Sequence, residues 1–192
     1  MRIGIFGGTF DPIHIGHIQL ANNATKDFKL NKIFFVPAKI PPHKVSRNLL
    51  PVKQRLEMIS LAIKTNKAFS ISKYEINRKN TTYTYQTVKY FKNKYPNDEI
   101  FLLLGSDSLN DLNSWKHPEI LVSLCKFIVA KRKTFSPFRN TNFFKNSSFT
   151  KKVVKNISST DIRNKAKNKK LIRSKVPGMV GKYISKNSLY TT

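Results

Sequence analysis

The sequence has a single cysteine, Cys125, and no long apolar stretch. One thiol cannot close an internal disulfide, and a chain without disulfides suits a reducing compartment. No apolar run approaches the ~18 residues of a membrane-spanning helix, and the first residues, MRIGIFGG, lack the apolar core of a secretion signal. These absences exclude a disulfide-stapled scaffold and predict a soluble, cytoplasmic protein with no membrane partner.

Acidic residues are also scarce. The chain has 10 Asp+Glu against 36 Lys+Arg, which gives a formal net charge of +26. Such a charge attracts nucleic acid, anionic membranes or phosphorylated small molecules. The lysines are widely spread and often neighbour asparagine, a composition typical of solvated faces, and no common RNA- or DNA-binding signature is present. We therefore predict no nucleic-acid partner, and a basic nucleic-acid-binding module remains the alternative from another functional class.

Strand and helix patterns alternate along nearly the whole chain. Strands are predicted over Arg2–Phe6, Lys32–Val36, Phe69–Ile76, Ile100–Leu104 and Lys126–Ala130. Helices are predicted over His14–Phe28, Pro51–Thr65, Thr84–Tyr95 and Pro118–Leu124, with two short ones from about Ser159 and Pro177 and a loop over 133–150. The alternation predicts an α/β fold in one domain, 1–192: a Rossmann-like, doubly wound parallel sheet flanked by helices, with a small C-terminal helical portion.

The segment GGTFDPIHIGH, residues 7–17, follows the first predicted strand. Two glycines let the backbone approach a ligand, and a helix N-terminus attracts anions. His14 and His17 have the i, i+3 spacing that places two side chains on one helix face, where imidazoles can donate hydrogen bonds to phosphate. A zinc site would need a third ligand and usually a helical glutamate, whereas Ile15 and Gly16 lie between the histidines, so we predict no metal ligands.

Four other segments carry polar groups at predicted strand or helix ends. Ser158 suits an N-cap with Asp161 in the capping-box position, and Arg163 on the same helix suits a polyphosphate. Asp107 follows a buried strand, where a carboxylate can bind ribose hydroxyls. Lys44 follows two prolines and suits a phosphate, and the single tryptophan, Trp115, suits stacking on a pyridine ring. The alternatives are a plain helix cap, a loop aspartate, a surface lysine and a core tryptophan.

GGTFDPIHIGH resembles the signature of the nucleotidyltransferase superfamily with the HxGH motif. The chain more narrowly resembles bacterial nicotinate-nucleotide adenylyltransferases, almost from Met1 to Tyr190. The motifs that carry this resemblance are PPHK at 41–44, TYTYQT at 82–87, GSDSLNDLNSW at 105–115, AKRK at 130–133 and ISSTDIR at 157–163. The first motif alone would leave several sister enzymes open.

The resemblance implies adenylyl transfer from ATP to nicotinate mononucleotide, with nicotinate adenine dinucleotide and pyrophosphate as products, a step of NAD biosynthesis. It implies catalytic roles for His14, His17, Lys44 and Arg163. The implied nucleotide-binding residues are Gly7, Gly8, Thr9, Phe10, Gly105, Asp107, Arg132, Ser158, Ser159 and Thr160. The implied acceptor-binding residues are Tyr83, Thr84, Trp115 and Lys116. Few carboxylates are available to hold a metal, so Mg²⁺ is expected to arrive on the ATP phosphates.

Two points limit what the resemblance implies. Relatives often carry an aromatic residue where this chain has Lys116, and we hypothesise that its ammonium adds charge for the nicotinate carboxylate. A sister adenylyltransferase that acts on nicotinamide mononucleotide or phosphopantetheine remains the alternative, although phosphopantetheine enzymes usually have threonine at the position of His14. The sequence permits a homo-oligomer.

Overall fold

The computed structural model describes residues 1–40, 49–132 and 142–191. Its strands are β1 Arg2–Gly8, β2 Lys32–Pro37, β3 Phe69–Ile71, β4 Glu99–Leu104, β5 Lys126–Lys131 and β6 Ser147–Val153. Its helices are α1 Ile15–Phe28, α2 Val52–Ile63, α3 Thr84–Lys94, α4 Ser106–Asn110, α5 Pro118–Leu124, α6 Asn142–Lys145, α7 Ser159–Lys167 and α8 Gly178–Lys186, with a 3₁₀ turn over Asp111–Ser114. In these ranges, no helix is both long and apolar enough to cross a membrane.

The six strands form one sheet in the order β3-β2-β1-β4-β5-β6, and every neighbouring pair is parallel. The predicted doubly wound parallel sheet is confirmed. Both β2 and β4 flank β1, so the strand order reverses there, and ligands of such sheets bind beyond the carboxyl ends of the strands at that point. The β1–α1 loop and the start of α4 lie at those ends.

Apolar side chains cover both faces of the sheet. One core cluster joins the sheet to α1, α2, α7 and α8, and Phe6 of β1 belongs to it. The other cluster joins the sheet to α3, α4 and α5, and contains Ile3 and Ile5 of the same strand. Alternate residues of β1 therefore face opposite cores, as strand geometry requires.

The prediction of a loop over 133–150 is wrong for the described part of that range, 142–150. These residues form α6 and most of β6, which pairs with β5 at the edge of the sheet. The pattern hid this strand because an edge strand is exposed: Lys151 and Lys152 point to solvent, and only Thr150 is buried. The register shifts between Val129 and Lys131, where the Thr150 hydroxyl accepts the N–H of Lys131 at 3.0 Å.

The predicted strand Phe69–Ile76 is also too long. Pairing ends at Ile71, and the following residues form a turn that packs beside α3. Glu75 in this turn is only 8% exposed and accepts a 2.7 Å hydrogen bond from the Thr87 hydroxyl of α3. Burial raises the pKa of Glu75 from its ordinary 4.5 to about 7, an increase that the hydrogen bond from Thr87 opposes.

Glu75 is expected to make the protein less stable as pH rises. Its folded-state pKa of about 7 lies above the unfolded value, so folding favours the protonated form, and the free energy of unfolding falls as pH rises from about 4.5 through about 7. The Glu75→Gln variant should flatten this slope and be the more stable protein at pH 8, by at most about 3 kcal/mol. Urea unfolding between pH 5 and 8 measures the difference. Exposed Glu57→Gln is the control, and equal slopes in wild type and Glu75→Gln would contradict the assignment.

Candidate active site

The loop between β1 and α1 is held against the core by Phe10. This residue has a left-handed backbone, with φ 51°, and its ring is 2% exposed. Its ring packs edge-on against Phe6 at 5.5 Å and against His17 at 5.1 Å between centroids. The ring also covers Gly8, where an added Cβ would lie 3.0 Å from Phe10 Cζ, so a larger residue here would have to displace the buried Phe10 ring by a few tenths of an ångström. Phe10 can therefore contact a nucleotide only through its backbone atoms.

Residues Gly7 and Thr9 on either side of Gly8 are not covered in the same way. Gly7 is exposed, and an added Cβ there would meet no atom within 4 Å. Thr9 is half-buried and turns its carbonyl to Arg55. The predicted nucleotide-binding stretch thus has an open edge at Gly7.

The two histidines form a stacked pair at the start of α1. Their ring centroids are 3.6 Å apart and their planes differ by 17°. The prediction that both lie within the helix is wrong by one residue: α1 begins at Ile15, and His14 is its N-cap. Each Nδ1 accepts the other residue's backbone N–H, at 3.2 Å for His17 and 3.3 Å for His14. A neutral imidazole that accepts at Nδ1 carries its proton on Nε2, so both rings present an Nε2–H donor.

His14 is neutral near pH 7. The residue is only 6% exposed. Burial, and after it the charge of Arg132, lower the pKa of His14 from 6.5 to about 4. The ring therefore acts as a hydrogen-bond donor and not as a resident cation.

Arg132 lies next to Asp107 and Gly105, and its charge acts on His14. Arg132 follows the end of β5, and its Nη1 contacts Asp107 Oδ2 at 2.7 Å. Gly105 is the N-cap of α4, and a Cβ there would lie 3.9 Å from Arg132 Nη2. Within the described residues, Arg132 Nε is buried and has no hydrogen-bond partner. The structure thus brings these three predicted nucleotide-binding residues together.

The start of α7 contacts the β1–α1 loop directly. Ser158 caps α7, accepting the N–H of Asp161 at 3.1 Å, and the Ser159 hydroxyl donates to the Pro12 carbonyl at 2.9 Å. The predicted reciprocal half of the capping box is not formed, because the Asp161 carboxylate instead contacts Lys175 at 2.9 Å. The start of α7 nevertheless lies beside the β1–α1 loop, residues 9–14, as predicted. We call this segment the histidine loop, because it ends at His14.

Arg163 also contacts this loop. Its Nη1 donates to the Asp11 carbonyl at 2.8 Å and its Nη2 to the Thr160 hydroxyl at 3.1 Å. Two of its N–H groups are therefore engaged in holding the loop and the first turn of α7. Gly16 allows the close approach on this side, since an added Cβ would lie 3.1 Å from the Lys155 carbonyl.

The predicted acceptor-binding residues form a second group. Thr84 is the first residue of α3, and the preceding Tyr83 N–H donates to Gln86 Oε1 at 3.0 Å. The Lys116 ammonium lies 4.6 Å from the centre of the Tyr83 ring, a cation–π contact. Trp115 is half-buried and packs against the core cluster that contains α3. The motif TYTYQT thus contacts, through Tyr83, the residue Lys116 that directly follows the motif GSDSLNDLNSW.

One buried arginine supports the site and was not identified from the sequence. Arg55 of α2 is 1% exposed and donates to three carbonyls: Thr9 at 2.7 Å, Ala38 at 2.8 Å and Leu50 at 3.1 Å. It joins the loops after β1 and β2 to the start of α2. A signal existed, because Arg55 occupies the helical face of Ile59 and Ile63, where a charge needs fixed partners. Lys44, the remaining predicted residue, lies outside the described residues.

Comparison with known proteins gives consistent results. The cytidylyltransferase-like family model matches residues 5–165. A protein of Clostridium botulinum (strain Alaska E43 / Type E3) named "Probable nicotinate-nucleotide adenylyltransferase" is 41% identical, over 98% of each chain. One of the same name from Desulfitobacterium hafniense (strain Y51) is 38% identical, over 98% of this chain and 95% of its own. The solved structure of Plasmodium falciparum nicotinic acid mononucleotide adenylyltransferase complexed with NaAD has a TM-score of 0.83 at 24% identity, covering 99% of this chain and 97% of its own, which confirms the fold.

The neutral state of His14 is directly measurable. We expect its ring to keep an Nε2–H proton and an unprotonated Nδ1 from pH 5.5 to 8, because its pKa of about 4 lies below this range. Long-range ¹H–¹⁵N spectra of the ligand-free protein report both nitrogens, and the His14→Gln variant assigns the signals. A His14 titration centred near 6.5 would contradict this reading of the site.

Proposed function

Because the chain belongs to the cytidylyltransferase-like family, and within it to the nicotinate-nucleotide adenylyltransferases, we propose that it transfers the adenylyl group of ATP to nicotinate mononucleotide. The products are nicotinate adenine dinucleotide and pyrophosphate, and the reaction is a step of NAD biosynthesis. The observation that carries the proposal is the stacked pair His14 and His17, whose Nδ1 atoms are both occupied by backbone N–H groups.

The attacking group needs no base from the protein. A phosphate monoester has a second pKa near 6, so it is largely dianionic at neutral pH. One of its oxygens forms a bond to the α-phosphorus of ATP while the bond from that phosphorus to the pyrophosphate oxygen breaks. Cys125 is buried, and burial raises its pKa to about 12, so it remains a thiol and has no role as nucleophile.

The protein's task is to bring two anions together and to stabilise charge on the phosphates. Correct positioning supplies on the order of 7–11 kcal/mol, and fixed donors add a few more. His14 and His17 supply Nε2–H donors whose direction is fixed before substrate binds. Arg132 lies beside His14, and its buried Nε has no hydrogen-bond partner in the described part of the chain, which supports an anion as its ligand.

The N-terminus of α7 supplies the remaining phosphate contacts. This helix has nine residues, and its first backbone N–H groups, including that of Ser159, suit the leaving pyrophosphate together with the hydroxyls of Ser158 and Thr160. The Ser159 hydroxyl itself donates to the Pro12 carbonyl and holds the loop. Arg163 combines two roles in the proposal: two N–H groups hold the loop and the α7 turn, and the guanidinium charge faces the phosphates. Asp107 binds ribose, and Lys44 adds a further phosphate contact.

The second group of residues binds the acceptor. Trp115 stacks on the pyridine ring, and the Thr84 hydroxyl donates to the nicotinate carboxylate. Lys116 is oriented by the face of Tyr83, which supports a role for its ammonium near that carboxylate.

We propose that Mg²⁺ enters on the ATP phosphates. Among residues 1–40, 49–132 and 142–191, no three His, Cys, Asp or Glu side chains gather as metal ligands. The Asp107 carboxylate, which we propose binds ribose, already contacts Arg132. The ion would shield the triphosphate charge, and the protein's own residues would bind the complex through the phosphate oxygens.

Pyrophosphate release tests the proposal. With ATP and Mg²⁺ we expect turnover with nicotinate mononucleotide to exceed that with nicotinamide mononucleotide or phosphopantetheine. His17→Ala should lower kcat roughly 100-fold, since it removes a donor to the transition state, while circular dichroism confirms an unchanged fold. A preference for either other acceptor, or near wild-type turnover in His17→Ala, would contradict the corresponding part.

Lys116 should contribute to the choice between acid and amide acceptors. Lys116→Ala removes a charge suited to a carboxylate, so we expect the ratio of kcat/KM for nicotinate over nicotinamide mononucleotide to fall several-fold. Lys89→Ala, an exposed substitution on α3 that changes net charge equally, is the matched control. An unchanged ratio in Lys116→Ala would contradict the role proposed for Lys116 in selecting the acid acceptor.

A further inference from the structure

We infer that the Tyr190 hydroxyl is a positioning group for the transfer reaction, acting through Asp11 on the loop that carries His14. The inference rests on the proposed function for its kinetic part. Tyr190 OH donates to Asp11 Oδ1 at 2.7 Å, across 179 residues of sequence. We call this bond the C-terminal latch.

The carboxylate of Asp11 is unusual because it is buried. The residue is 1% exposed, and a buried charge is stable only with partners. Besides the phenol, Oδ2 faces the Leu50 N–H at the long distance of 3.5 Å. Among the described residues, Arg55 and Arg163 are charged groups near it, and Arg163 donates to the Asp11 carbonyl. Within that part of the chain, the Tyr190 phenol supplies a shorter hydrogen bond to this side chain than the Leu50 N–H does.

The Tyr190 hydroxyl is suited to be a constant hydrogen-bond donor to Asp11. Burial, and after it the charge of Asp11, raises the pKa of Tyr190 above its ordinary value, so the phenol keeps its proton. Its backbone is left-handed, with φ 67°, which is unfavourable for a residue with a large side chain. The chain adopts this conformation where it turns back after α8, with Leu189 buried in the core. In this left-handed conformation the phenol hydroxyl reaches Asp11.

The latch completes a set of bonds from the C-terminal part of the chain to the histidine loop. Ser159 donates to the Pro12 carbonyl, Arg163 donates to the Asp11 carbonyl, and the Lys175 carbonyl accepts the N–H of Ile15 at 2.9 Å. Ser159 and Arg163 are also proposed to meet phosphate. Among the described residues, the hydrogen bond from the Tyr190 side chain to the loop goes to the Asp11 side chain, so its effect on the reaction passes through the position of the loop and of His14, three residues further on.

The test is Tyr190→Phe, which keeps the ring and its packing but removes the donor. We expect kcat for adenylyl transfer to fall about 10-fold with KM values within twofold. We also expect shifted imidazole nitrogen resonances of His14 or His17, a change that a purely structural role far from the site would not produce. Tyr183→Phe is the matched control: Tyr183 is a half-buried tyrosine on α8 that packs on the same core cluster. It should match wild type in both measurements.

The outcomes separate this inference from the proposed function. Unshifted histidine resonances in Tyr190→Phe, or shifted resonances with unchanged kcat, would overturn the latch. A wild-type protein inactive with every acceptor would overturn the proposed function, while the resonances would still decide whether Tyr190 positions the histidines. Should Tyr190→Phe fail to fold, Asp11→Asn tests the same bond, because an amide oxygen accepts the phenol more weakly. It should shift the His14 or His17 nitrogen resonances relative to wild type, and an absence of any shift would count against the latch.

Discussion

The reciprocal bonds between His14 and His17 are the constraint on which the rest of the site depends. Each ring accepts the other residue's backbone N–H, and these bonds also cap α1. One pair of interactions thus begins a helix, selects the tautomer of two imidazoles and stacks their rings. Unrestrained imidazoles sample several tautomers and rotamers, and fixing one of them when a ligand binds costs entropy. These two rings are already ordered by the hydrogen bonds that cap the helix.

The loop that carries this pair is supported from two sides of the fold. Arg55 holds the Thr9 carbonyl from α2, and Arg163 holds the Asp11 carbonyl from α7. Backbone carbonyls in a short buried loop cannot all pair with one another, so a guanidinium, with its several donors, is an effective partner for them. The arginines of this strongly basic chain therefore do structural work at the site as well as supplying charge.

Much of this arrangement followed from the sequence. The parallel sheet was predictable because strands such as β4 are continuous apolar runs between clear breaks. The bounds of α1, α2, α3 and α5 were predicted to within about two residues, whereas the short helices α4 and α6 were not predicted. The contact between the α7 start and the histidine loop was expected from motifs alone. The strand β6 was missed because its exposed lysines break the apolar pattern. The helical spacing of Arg55 with Ile59 and Ile63 could have indicated a buried arginine, but its carbonyl partners on distant loops leave no mark in the sequence. The role of Arg163 in holding the loop depends on a contact across 152 residues of sequence.

The two outermost strands limit how copies of this chain can associate. At one margin β3 has only three residues, and at the other β6 exposes Lys151 and Lys152 beside an irregular register. A short strand offers few unpaired amides, and an ammonium directed outward repels the same group on an approaching copy. Growth of the sheet from molecule to molecule is thereby discouraged.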